Sequence, residues 1–105
     1  MQIIKVKDFS RFPGPRYIKL GKYSGEEFRD NVLIPAILEH NLVKVDLDGT
    51  VGYGSSFLDE AFAGLLRKGI SQDIVWGIIN HLKSDEDEIL IEEIKGYVED
   101  EIEKD

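Results

Sequence analysis

The chain has no cysteine among its 105 residues, which excludes a disulfide framework, a thiol nucleophile and every zinc or iron-sulfur site built on thiolates. Such a composition fits a reducing compartment, and the cytoplasm is the expected location. No apolar run approaches the roughly 18 residues of a membrane span, and the starting MQIIKVKDF has no stretch long enough for the apolar core of a signal peptide. Histidine is scarce: His40 and His81 stand apart from any cluster of acids, so no ligand set for a metal is visible. Asp46, Asp48, Asp59 and Glu60 do not make a calcium loop, because Tyr53 occupies the glycine position when Asp48 opens it. No metal and no cofactor is expected.

Positive charge is in short supply as well. Thirteen Lys and Arg face 21 Asp and Glu, a net of -8, and an acidic bulk argues against nucleic acid as a partner. The imbalance is local. Residues 85 to 105 hold eleven acids against Lys95 and Lys104, a net of -9, whereas the first 22 residues carry six basic residues against Asp8, a net of +5. The acidic segment reads first as a solvated helix face. Its rival roles are an anion mimic or a helix that docks on the basic face of a second copy, so a monomer and a homodimer both stay open.

What remains is an ordinary globular composition, 42% hydrophobic and 10% aromatic, of a length that holds one core. Segments 2 to 7 (QIIKVK) and 16 to 20 (RYIKL) alternate, placing Ile4, Val6, Ile18 and Leu20 on one side. Both read as strands, and Pro13, Gly14 and Pro15 between them predict a hairpin. Ser24-Gly25-Glu26-Glu27 is a capping box that opens a helix, with a kink expected near Asn31 to Pro35 and an end by His40-Asn41. Residues 42 to 48 alternate again, with Val43, Val45 and Leu47 inward, as the third strand. After a Gly-rich turn, Ser55 or Ser56 caps a helix with a wide apolar stripe that ends at Gly69. Ser71 caps a short helix through Val75, and 78 to 83 reads equally as a fourth strand or as more of that helix. Leu90, Ile91, Ile94, Tyr97, Val98 and Ile102 mark a terminal helix over about 85 to 103, starting near Ser84. Trp76 reads as a core residue, or as an anchor for a partner if exposed.

These elements predict an α/β fold: a single domain over 1 to 105, with a small four-stranded mixed sheet and three or four helices packed mainly on one face. The lysines on the other side of the strands (Lys5, Lys19 and Lys44, with Tyr17) would leave a basic sheet face open to water.

Two resemblances bear on chemistry. VKVDLDGTV, residues 43 to 51, resembles the first motif of the haloacid dehalogenase phosphatases. That likeness implies Asp46 as nucleophile and Asp48 as general acid/base, together with a downstream lysine, a further carboxylate pair and Mg²⁺. The plain reading of the same residues is a turn at Asp48-Gly49, with Asp46 on the wet face of the sheet.

Read further, VDLDGTVGYGSSFLDEAFAGLL, residues 45 to 66, resembles the strand, loop and helix of STAS domains, the fold of the anti-sigma factor antagonists. Arg16 to Leu20, the run Tyr23-Ser24-Gly25-Glu26-Glu27-Phe28-Arg29 and the run Ser55 to Phe62 resemble more closely the bacterial STAS-like domain family of unknown function, over residues 9 to 69. The resemblance implies a non-enzymatic regulatory or protein-interaction module and a protein partner, a histidine-kinase-like ATPase or an anti-sigma-type kinase. It also implies a partner surface at Gly52, Tyr53, Gly54, Ser55, Ser56, Asp59 and Glu60, with phosphorylation at Ser56 or at Ser55.

Overall fold

A computed structural model describes residues 2 to 40 and 42 to 104. Strand β1 (Gln2–Lys5) lies parallel to strand β2 (Val43–Asp46), with Ile4 opposite Val45 and Lys5 opposite Asp46. Between them the chain makes a helical turn α1 (Val6–Phe9), a long loop with a 3-10 turn (Ile18–Leu20), and helix α2, composed of Gly25–Phe28, a wider π-helical turn at Arg29–Leu33, and Ile34–His40. Helix α3 has the same construction: Ser55–Leu58, a π-helical turn at Asp59–Ala63, and Gly64–Arg67. Helices α4 (Gln72–Ile79) and α5 (Ile89–Glu103) complete the fold.

Among the described residues the sheet has two strands, not the four expected. Segment 16 to 20 is no strand, and there is no hairpin, for a reason that lies in the backbone. Its carbonyls are spent on the start of α2: the Gly25 amide donates to the Pro15 carbonyl (2.9 Å) and the Glu26 amide to that of Arg16 (3.0 Å). Ile18 and Leu20 therefore face water, 51% and 63% exposed, and of the expected basic face only Lys5 and Lys44 lie on the sheet. The fourth strand shrinks to one bridge: Lys83 donates to the Val45 carbonyl (3.0 Å) and accepts from Leu47 (2.8 Å), on the edge of β2 away from β1. The helical reading holds through Ile79.

Elsewhere the side-chain pattern settles the structure. Val43, Val45 and Leu47 are buried, while Lys44 and Asp46 are only half covered. Ser24 accepts the Glu27 amide (3.0 Å), but Glu27 receives the Tyr23 amide (3.2 Å) instead of returning to Ser24. Near Pro35, where a kink is expected, the helix has a widened turn in which the Ile34 amide reaches back five residues to Arg29. That turn includes the carbonyls a proline ring would strike, so the helix absorbs the ring without breaking and runs to His40; Asn41 lies outside the described residues. Gly69 (φ 88°) ends α3 in a Schellman motif, with Ile70 donating to Leu65 (3.0 Å) and Gly69 to Leu66 (3.0 Å). Helix α5 starts five residues later than Ser84 and buries Leu90, Ile94 and Val98 against α3 and α4. Trp76 is half-buried at the margin of the core.

Candidate functional site

The turn after β2 is held by acids on backbone amides. Asp46 accepts from the Asp48 amide (2.9 Å), and Asp48 accepts from those of Glu86 (3.0 Å) and Asp85 (3.1 Å). These bonds, with the Lys83 ammonium, hold the Asp48 carboxyl below its usual range; the Glu86 amide is the first cause. Lys83 stands among Asp46 (3.6 Å), Asp48 (3.5 Å) and Asp85 (3.6 Å), and its pKa is raised, chiefly by the Asp46 charge. The structure thus brings a lysine and a further acid to the two aspartates of the VKVDLDGTV motif. Among the described residues no three His, Cys, Asp or Glu side chains gather as a metal site. Tyr53 folds back under this turn and donates its hydroxyl to the Leu47 carbonyl (2.7 Å), and burial pushes its pKa up to about 12. A cavity of about 360 Å³ opens beside it, lined by Asp48, Val51, Tyr53, Glu86, Leu90 and Glu93 among others.

From there the chain passes Gly52 (φ 138°) and enters α3. Neither serine is the cap. Gly54, extended at φ -77° and ψ 148°, is the N-cap residue and supplies no side chain. Ser55 and Ser56 are the first two helical residues, both exposed, so their hydroxyls are free of a capping role. Phe57 and Leu58 then turn into the core, with Phe57 packed on Tyr53 and Phe28.

One turn on, Asp59 and Glu60 do not face outward with the serines. Glu60 is only 5% exposed and takes Arg29 on Oε2 and Arg16 (3.3 Å) and Arg67 (3.1 Å) on Oε1. Asp59, half-buried, takes Arg16 and Arg67, both at 2.8 Å. Arg67 reaches Glu101 on α5 (2.8 Å), and Arg29, 3% exposed, also holds its neighbour Asp30 (2.8 Å). The Asp59 hydrogen bond raises the Arg16 pKa. For Arg29 and Arg67 burial pulls the other way and is outweighed by the carboxylates; Arg29 in turn lowers Asp30, and Arg67 lowers Glu101. The network ties the 10 to 24 loop, α2, α3 and α5 into one joint. Glycines let the helices close on it: a Cβ on Gly25 would lie 2.5 Å from the Phe57 carbonyl oxygen, and one on Gly64 2.7 Å from Arg29 Nη1.

Of the seven residues expected to meet a partner, Gly52, Gly54, Ser55 and Ser56 are exposed, Tyr53 and Asp59 are half-buried, and Glu60 is buried. Arg16, Arg29, Arg67 and Lys83 were not singled out as site residues. For Arg67 a sequence signal exists, since it lies two helical turns after Glu60 and therefore on the same face; the others come from distant segments.

The family model for the STAS-like domain of unknown function (DUF4325) matches residues 24 to 79, more than half of the chain. The chain belongs to this STAS-like family. The matched stretch runs from the Ser24 cap through β2 and α3 to the end of α4, so it contains the exposed serines and both widened turns, whereas Arg16, Lys83 and α5 lie beyond it. No curated protein and no solved structure matches the chain. Among the described residues no helix is long and apolar enough to cross a membrane.

Proposed function

We propose that this chain is a non-enzymatic STAS-type interaction module of the cytoplasm, read by a protein partner at the exposed start of α3 from Gly52 to Ser56. Phosphorylation of Ser56, or of Ser55, switches that contact. The partner is a histidine-kinase-like ATPase or an anti-sigma-type kinase, as in the partner-switching proteins this family resembles. The supporting observation is the exposure of two serines that carry no capping duty, so a kinase can take either hydroxyl without dismantling the helix. A phosphate on Ser56 would place a dianion at the helix start, where the dipole favours it. The test is a pull-down from the native host with Ser56→Ala and Ser56→Asp compared, and phosphosite mapping after incubation with the recovered kinase. Capture of a kinase-like ATPase by the alanine variant and its loss from the aspartate variant is the expected result. Equal capture by both, or phosphate mapped outside Ser55 and Ser56, refutes the switch.

A second reading, phosphoryl transfer from a phosphate ester to Asp46 as nucleophile and then to water, is favoured by one observation, the approach of Lys83 and Asp85 to the two aspartates. It requires Mg²⁺-dependent phosphatase activity that Asp46→Asn abolishes. A native protein inert toward phosphate esters disposes of it.

A further inference from the structure

The loop between α1 and α2 exposes apolar side chains that nothing in the fold requires to be there: Phe12 (69%), Ile18 (51%) and Leu20 (63%), with Tyr17 and Tyr23 beside them. It is firmly anchored. Besides the two bonds to the start of α2, Gly14 donates to the Tyr23 carbonyl (2.8 Å), Ile18 to the Glu26 carboxylate (2.9 Å) and Leu20 to the Tyr17 carbonyl (2.9 Å). The apolar group therefore cannot fold away from water, and little conformational entropy is left to lose when it is covered. Residues 9 to 25 contain no acid but carry Arg11, Arg16, Lys19 and Lys22. Arg16 is engaged with Asp59 and Glu60, while among the described residues Arg11, Lys19 and Lys22 have no carboxylate within 4.0 Å.

The same chain carries the opposite pattern. Asp85, Glu86, Asp87 and Glu88 are exposed ahead of α5, followed by Ile89, 69% exposed, and then Glu92. One patch is an apolar centre with a basic rim; the other is an apolar centre with an acidic rim. We infer that the Arg11 to Tyr23 loop docks on the Asp85 to Glu92 face of a second copy of this chain. Two copies related by a two-fold axis make that contact twice. Each chain is acidic overall, but charges farther apart than the Debye length of about 8 Å at physiological salt are largely screened. The two facing patches therefore dominate once the copies are close.

The test is the solution mass of the full chain, by light scattering at rising concentration, for the native protein and two charge-reversed variants, Lys19→Glu/Lys22→Glu and Glu88→Lys/Glu92→Lys. All four positions are exposed, and circular dichroism verifies that each variant is folded. The native mass is expected to rise toward twice the monomer. Each variant alone weakens the charge match in both contacts and should associate about tenfold or more weakly, and an equal mixture of the two should associate more tightly than either alone because one contact of the mixed pair joins an unaltered loop to an unaltered acidic face. A native chain monomeric at every concentration overturns the proposal. So does association that survives both reversals, or a mixture that stays apart. Loss of an acidic partner protein, or of anionic vesicles, from the Lys19→Glu/Lys22→Glu variant of a monomeric native chain would assign the loop to that other occupant instead.

Discussion

Glu60→Gln changes one oxygen to nitrogen and keeps the shape of the side chain, yet it removes the charge that three arginines share. The loss is largest at Arg29, whose side chain is 4% exposed and whose Nη1 faces Glu60 Oε2 and the Glu60 carbonyl (3.4 Å). Removing one member of a buried pair costs about 3–5 kcal/mol, mostly because the other charge is left without its counterion. Here the low end applies. Arg29 keeps two contacts to Asp30 (2.8 and 3.2 Å), and Arg16 and Arg67 keep Asp59. A loss of about 3 kcal/mol lowers the melting temperature of a domain this size by roughly 12 °C or more, and the urea midpoint by about 2 M at a slope near 1.5 kcal/mol per M. Asp59→Asn is the control, because that carboxylate is 24% exposed and water screens it; about 1 kcal/mol or less is expected. Equal urea midpoints for the two variants, or a Glu60→Gln loss under about 1 kcal/mol, would refute the view that Glu60 is the buried anchor of the joint.

Ser24→Ala should cost about 1 kcal/mol in urea unfolding, since it removes a cap from a fully buried side chain, whereas Ser55→Ala and Ser56→Ala should stay within about 0.5 kcal/mol. Ultraviolet titration should find one of the four tyrosines ionising near pH 12, a late step that Tyr53→Phe abolishes. Because the folded pKa of Tyr53 lies above its unfolded value of about 10, its contribution is complete below pH 10 and is lost as pH rises toward 12. The opposite sign governs Asp30, Asp48 and Glu101, all lowered in the fold. Their contribution is present above the unfolded values near pH 4 and disappears as pH falls through the lowered folded values, so acid unfolding should begin below about pH 4 and shift upward in Asp48→Asn.

Local signals were legible where neighbours alone decide the structure. The alternation at 43 to 47, the Ser71 cap, the Gly69 stop and the apolar face of α5 all appear where their residue types place them. Alternation misled at 16 to 20, where five residues are too few to separate a strand from an extended loop, and where the deciding bonds go to amides of a helix that begins several residues later. Serine beside a helix start misled as well. Gly54 already has the extended backbone a cap requires, so Ser55 falls one position inside, and the two serines that looked like caps have no capping role.

Least legible was the joint between α2 and α3, and its physics explains why. A π-helical turn leaves no periodic signature, because its extra residue shifts every later side chain around the helix axis by a constant amount. Each of the two helices takes that extra residue at the level of the joint: Arg29 opens one widened turn and Glu60 lies in the other. Glycines at 25 and 64 let the backbones come close where the guanidinium and the carboxylate are in direct contact. The buried pair thus lies where the two widened turns meet, and the exposed serines at the head of α3 precede it by about one turn.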